Sequence, residues 1–409
     1  MTRYQKENTP RLGKFVTSIR PGKKYKIALD NVQICDPTSV MVELNLSLNL
    51  FSGVFLTIDV LRDQESIIDG PKDYSQVNDN QIPNFNVQLT NTLQVFDKKV
   101  SPGRHSYEIV LRNQENSAFN VQIERYVLNI MTVDTVKASQ KYNQIETIPV
   151  GEIFDVPLKV KKIRNKPCGA CGACDPHGFY ESVEPCKSKK TDKLVRIRGS
   201  MNITIFSAQP TLNLSIIRSD GSVFLPFEDL ITVLGPPNIN FMTRINLNFD
   251  HVDRKPCGDY ILRFMNGSVD TNPININYYS FTSDVNQDIV VDQKLGLDVP
   301  RITIQPDKSA SITVTSLTDG PKIITFLSNV VYAGIYPELT LVEIRKGNQS
   351  LTNGLQSLTK LSTLSTVLEI DTYFMALDNE CKAGDQYTVE FINMGSFVVE
   401  IDYYNITLY

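Results

Sequence analysis

An all-β fold of three tandem β-sandwiches, of jelly-roll or immunoglobulin-like type, is predicted by three observations. Apolar and polar residues alternate with period two, turn-forming residues punctuate the runs, and one pair of motifs recurs three times. The alternation is read in MVELNLSLNL (41–50), LTIDVLR (56–62), MNITIF (201–206), LNLSIIR (212–218), INLNF (245–249), YTVEF (387–391) and FVVEIDYYNITLY (397–409). Successive side chains of a strand point to opposite faces, so the pattern predicts strands with one face in a core. Clusters of Gly, Pro, Asn and Asp separate the strands. Helical periodicity is scarce; GLQSLTKLSTLST (354–366) reads as one short helix or a loop.

The repeat rests on two motifs. Leu56 and Arg62, Leu212 and Arg218, and Leu339 and Arg345 each stand six residues apart, and a polar turn follows each pair. Some 42–45 residues later comes a glycine, then a tyrosine six residues before an asparagine: Gly103, Tyr107 and Asn113; Gly258, Tyr260 and Asn266; Gly384, Tyr387 and Asn393. An aromatic-rich closing strand ends each copy. The same order at nearly the same separation predicts three copies of one all-β unit. A flexible arm occupies 1–15, and sandwiches occupy 16–137, 138–285 and 286–409. The three tyrosines are expected in the core, and the arginines in solvent or in local pairs.

The middle copy is longer. From the first strand to the arginine the copies span 37, 64 and 34 residues, so the middle one carries 27–30 more, at 163–192. This insertion, KPCGACGACDPHGFYESVEPCK in its central part, holds Cys168, Cys171, Cys174 and Cys186. The other cysteines are Cys35, Cys257 and Cys381. Three readings stand. The four clustered thiols suit a structural Zn²⁺ site with His177 in reserve, because two sulfurs two residues apart reach one tetrahedral ion. All seven cysteines are also candidates for disulfides or cross-links between subunits, and an odd number leaves one thiol for a neighbour. The spacing of the first three resembles the start of a bacterial ferredoxin motif, whose fourth cysteine should follow after three residues rather than eleven.

Composition narrows the function. The chain has 409 residues, 41% hydrophobic and 21% charged, with net charge −4 and both signs interspersed. That argues against a general nucleic-acid binder. Three histidines are few for imidazole-based catalysis. No phosphate loop, nucleophile elbow or zinc-protease motif occurs, so no enzyme and no cofactor beyond the Zn²⁺ is expected. The N-terminus lacks the apolar run of a secretory signal, and no stretch reaches the roughly 18 apolar residues of a membrane helix. The sequons at Asn45, Asn202, Asn213, Asn266, Asn348 and Asn405 read as chance in an Asn-rich chain.

Signal-less, Asn- and Thr-rich β-sandwiches with a cysteine-bearing loop resemble the subunits of surface layers and appendages on Gram-positive spores. The resemblance implies a non-enzymatic structural protein that self-assembles into a fibre or surface layer locked by disulfides. It would reach a spore or particle surface, extracellular after release, among copies of itself and other surface proteins, with no membrane insertion. A free arm at one end and an exposed strand at the other suit strand donation to a neighbour. Two alternatives stand beside it. One is a viral or phage tail, fibre or capsid-decoration protein. The other is an array of carbohydrate- or protein-binding modules, in which the pairs Tyr278/Tyr279 and Tyr403/Tyr404 stack on sugar; the plainer reading of each pair has one tyrosine in the core and the other covering an edge.

Overall fold

The computed structural model describes residues 3–51, 53–78, 86–133, 136–161, 194–206, 209–234, 242–286, 289–294, 301–334, 338–362 and 366–409. Among them every regular element is a strand. The first unit runs β1 (Arg3–Asn8), β2 (Thr17–Ile19), β3 (Lys24–Ile34), β4 (Thr38–Phe51), β5 (Val54–Arg62), β6 (Glu65–Ser66), β7 (Lys72–Asn78), β8 (Asn86–Val100), β9 (Gly103–Asn113) and β10 (Val121–Val133). The second runs β11 (Val136–Lys141), β12 (Glu146–Ile148), β13 (Ile153–Leu158), β14 (Leu194–Ile205), β15 (Thr211–Arg218), β16 (Val223–Leu234), β17 (Met242–Asp253), β18 (Tyr260–Asn266) and β19 (Ile274–Asn286). The third runs β20 (Val290–Lys294), β21 (Ile302–Ile304), β22 (Ser309–Thr315), β23 (Lys322–Gly334), β24 (Glu338–Lys346), β25 (Gln349–Ser350), β26 (Gln356–Ser362), β27 (Thr366–Asp378), β28 (Gln386–Asn393) and β29 (Val399–Leu408).

The strands form three antiparallel sheets, and each sheet is shared by two units. One runs β1-β10-β4-β8-β26-β24-β28-β22, joining the first unit to the third through β8 and β26. The next runs β11-β19-β14-β17-β7-β5-β9-β3, joining the second to the first through β17 and β7. The last runs β13-β18-β15-β16-β27-β23-β29-β20, joining the second to the third through β16 and β27. Each unit thus splits its two half-sheets between its two neighbours, and the three junctions close a ring.

Within a unit the two half-sheets face each other as a sandwich. In the first, Ile27, Leu56, Ile58, Tyr107 and Ile109 of one half pack on Leu44, Leu46, Val95, Ile123 and Leu128 of the other. Separate cores fill the second and third units. β5, β18 and β28 alternate between buried and part-buried residues, as period two requires. β4 and β14 behave differently: almost every residue is buried. Their apolar sides enter the sandwich. Their polar sides were expected in solvent, yet Glu43, Asn45, Ser47, Ser200, Asn202 and Thr204 are all at most 2% exposed. A fourth apolar cluster lies between units and takes Met41, Phe96 and Met131 from the first, Val252 from the second and Ile323, Tyr373 and Tyr409 from the third.

Several expectations are corrected. Residues 3–8 lie within the expected flexible arm but form β1, paired with β10 from Arg3↔Met131 to Asn8↔Tyr126. The segment also ties two units together: Arg3 donates to the carbonyls of Pro321 and Tyr409, and Asn353 and Gln356 donate to those of Thr9 and Pro10. β29 is flanked by β23 on one side and by β20 and β21 on the other, so it offers no open edge for strand donation. Residues 356–362, read as helix or loop, are β26, held between β24 and β8. β11 pairs with β19, so the second unit begins before residue 138.

Candidate functional site at the junction of the three units

One three-part motif recurs in every unit. Arg62 lies opposite Tyr107, Arg218 opposite Tyr260, and Lys346 opposite Tyr387. The tyrosine hydroxyls donate to Asp97, Asp253 and Asp378 at 3.0, 2.9 and 2.6 Å. Each aspartate also takes the cation. Arg62 donates to both oxygens of Asp97 at 2.8 Å, Arg218 to both of Asp253 at 2.7 and 2.9 Å, and Lys346 Nζ lies 3.0 Å from Asp378. Burial and the neighbouring carboxylate push all three tyrosines well above their ordinary range, so they stay neutral donors.

The third copy corrects the sequence alignment: Lys346, not Arg345, is the counterpart of Arg62 and Arg218. Arg345 instead pairs with Glu390 and stands 4.0 Å from Glu343. Nor do the arginines of the first two copies face solvent freely. The aspartates escaped the sequence reading because they precede their tyrosines by 10, 7 and 9 residues, a variable link.

The asparagines form the other end of the same device. Asn113 donates to the carbonyls of Ile19 and Phe119, Asn266 to those of Ile148 and Asn272, and Asn393 to those of Ile304 and Phe397. Each is fully buried and closes two loops over the sandwich end. At the opposite end, Gly258 has φ +73°, and a Cβ there would stand 2.3 Å from the Ser219 hydroxyl oxygen. Only glycine fits that turn.

The chemistry of the junction lies where the units meet. Arg196 and Arg198 of β14 are buried. Arg196 grips Asp250 with two bonds, donates to Thr325 at 2.8 Å and stacks over the Tyr409 ring at 4.0 Å. Arg198 pairs with Glu43 and donates to the Tyr409 hydroxyl at 3.0 Å. Glu43 also accepts from Asn129 at 2.9 Å and from Tyr409 at 3.0 Å. Burial alone would raise Asp250, but the Arg196 charge holds it below the usual carboxylate range. Arg125 donates to Asn45 and to the Met375 carbonyl, both at 2.6 Å, and lies 3.9 Å over the Phe374 ring. His251 adjoins this network fully buried, and neither ring nitrogen has a hydrogen-bond partner among the described residues. Burial pushes its pKa down to about 4 against the pull of Asp250.

The sequence-predicted site residues are distributed as follows. Cys168, Cys171, Cys174 and Cys186, with the whole 163–192 insertion between β13 and β14, lie outside the described residues. Cys35 is an exposed free thiol and Cys381 a buried one. Cys257 sits beside the Gly258 turn, where its carbonyl accepts from Ser219. Cys381 approaches Asp378 and Asp385, with donor atoms within 4.8 Å of one another. That place is already neutralised, because Lys346 Nζ stands 3.0 Å from each carboxylate. The proposed sugar platforms are not at the surface: Tyr278, Tyr279 and Tyr403 are buried. Of the six sequons, Asn45, Asn202, Asn213, Asn266 and Asn405 are buried, and Asn348 is exposed.

No family model and no curated protein matches the chain. Among solved structures, a protein of the T13 particle of infectious bursal disease virus is similar at TM-score 0.23 and 8% identity, over 96% of this chain and 80% of that one. A protein of the subviral particle of the same virus follows at 0.21 and 8%, over 94% and 81%. One from Sulfolobus turreted icosahedral virus scores 0.20 at 9% identity, over 100% and 90%. Scores this low carry no argument about what the chain does.

Proposed function

We propose that the chain is a structural subunit, a trimer of sandwiches written as one polypeptide, that assembles with copies of itself into a shell or layer. The observation that carries this reading is the cyclic sharing of sheets. Every unit lends one half-sheet to each neighbour, so the described residues of the three units make one block. Blocks of near-threefold outline tile surfaces and closed shells through repeated contacts. The buried charges serve the same end: they hold the three units in one register and are withdrawn from solvent. The fibre reading loses support, because β1 and β29, the strands suited to donation, are both paired within the chain. Among the described residues Cys35 is the exposed free thiol, and it would make a cross-link between copies.

The test is electron microscopy and light scattering of purified protein over a range of concentration and salt, with and without reductant. Regular particles or planar arrays support the reading. A species that stays monomeric at every concentration and salt overturns it.

A further inference from the structure

We infer that one end of the first unit binds single-stranded nucleic acid through its phosphodiester backbone and bases, a property that does not depend on the assembly reading. The whole-chain charge of −4 hides the feature. Between Glu7 and Asp30 the chain has no acidic residue but carries Arg11, Lys14, Arg20, Lys23, Lys24 and Lys26. Lys26 pairs with Glu108. The other five are exposed, and none has an ion-pair or hydrogen-bond partner for its side chain among the described residues.

The fold gathers these five at one place. Asn113 binds the carbonyls of Ile19 and Phe119 at 2.8 and 2.9 Å, which brings the segment before β3 against the loop after β9. Gly22 N donates to the Asn113 carbonyl, Asn113 N to that of Lys23, and Lys24 pairs across to Arg112. The Arg11–Lys14 turn enters the same end, where Val16 N donates to Ile123. The acids nearby are Glu115, which lies beside Gly22 and 3.5 Å from Arg112, and Glu124, which follows Ile123 in β10.

Three apolar side chains stand out between the cations: Leu12 at 44%, Phe15 at 50% and Phe119 at 48% exposed. Two aromatic rings among unpaired cations are what a single strand uses, with the charges on its phosphates and its bases on the rings. Three apolar groups bury too little to hold a membrane, which favours the polymer over a lipid surface. The fold does not demand the charge. At the matching end of the second unit, residues 143–153 hold Glu146 and Glu152 and no cation, and in the third Arg301 is taken by Glu400 and Asp402, which leaves Lys308 at the place of Lys23.

The experiment is fluorescence anisotropy of a labelled oligothymidylate of about 30 nucleotides with the whole chain, across a salt series. Five engaged cations give a slope of log affinity on log salt of roughly −3 to −4. Lys14→Glu/Lys23→Glu/Lys24→Glu should weaken binding at least tenfold and flatten the slope by about 2. Phe15→Ala/Phe119→Ala should weaken it about 5- to 150-fold per stacked base with the slope unchanged. Lys308→Glu/Lys382→Glu, at exposed sites on the third unit, serves as the charge control and should bind as the parent does. Circular dichroism of each variant checks the fold. Absence of binding at low salt, equal loss in the control, or capture by phosphatidylserine vesicles without capture of the oligonucleotide overturns the proposal.

Discussion

His251 makes the molecule sensitive to acid, by an amount that follows from its site. Its ring lies between Phe249, stacked at 6.3 Å, and Tyr403 at 6.2 Å, with Asp250 as the adjacent charge and Arg196 bound to that aspartate. The folded-state pKa is lowered to about 4, against the ordinary 6.5 that the unfolded chain regains. The unfolded state therefore takes up the proton first as pH falls. The stability tied to neutral His251 is whole above about pH 6.5, shrinks from there to pH 4, and levels off below. At pH 4.5 the loss is about 2.5 kcal/mol, a large share of a typical domain's stability. The perturbation is His251→Phe, which fills the same aromatic niche and cannot titrate. Urea unfolding of both proteins at pH 7.5, 5.5 and 4.5 gives the difference, which cancels every other titrating group. At pH 7.5 the variant should match or exceed the parent, since it removes two unpaired buried nitrogens. At pH 4.5 it should lead by a further 2.5 kcal/mol or so. Parallel pH profiles within about 0.5 kcal/mol would mean that the imidazole reaches solvent or a proton acceptor in the folded chain, and the burial argument would fail.

Three substitutions probe the ion pairs and the packing. Arg218→Ala strips the cation from Asp253, whose side chain is 1% exposed, and should cost about 2–3 kcal/mol, whereas Arg345→Ala breaks a part-exposed pair and should cost less than about 1, as denaturation midpoints will show. Equal costs would restore the alignment in which the three arginines are counterparts. Gly199→Ala places a Cβ 2.3 Å from the Phe281 ring and 2.8 Å from that of Phe249. It should destabilise by about 1–3 kcal/mol through overpacking, and a thermal midpoint equal to the parent's would refute the close contact.

The class of fold was legible because alternation survives in every strand that faces a sandwich core: Leu56, Ile58 and Val60 are buried as the pattern demands. The junction was not legible, because its strands carry the same pattern for a different reason. In LVRIRGSMNITI (194–205), Arg196, Arg198, Ser200 and Asn202 fall on one face, which reads as the wet side of a half-buried strand. Polar side chains satisfy one another across units here, so the face is both hydrophilic and dry, and a single sequence carries no mark that separates dry polar from wet polar. The arm was misread on similar grounds. RYQKEN has too little apolar character to announce a strand, and its order comes from β10, more than a hundred residues away. Tyr107, Tyr260 and Tyr387 were found through their fixed spacing to asparagine, while their aspartate partners lay across links of unequal length.

The centre of the ring explains why covalent fusion matters. Val40, Val195 and Lys322 pair with the three repeated aspartates, so three residues further on Glu43, Arg198 and Thr325 occupy one equivalent position. In a trimer of identical chains that position would hold three copies of one residue. Three arginines buried together would repel with no counter-charge, and three glutamates would have to take up protons to avoid the same repulsion. One polypeptide escapes this constraint: its first copy contributes the anion and its second the cation, and these two meet. Its third contributes a hydroxyl, which accepts from Arg196. Removing Glu43 or Arg198 strands a buried charge, so the first and second copies must meet at this position. The polar centre thus fixes which copies meet there and in what register, a task that its apolar neighbours, interchangeable in chemistry, are poorly suited to perform.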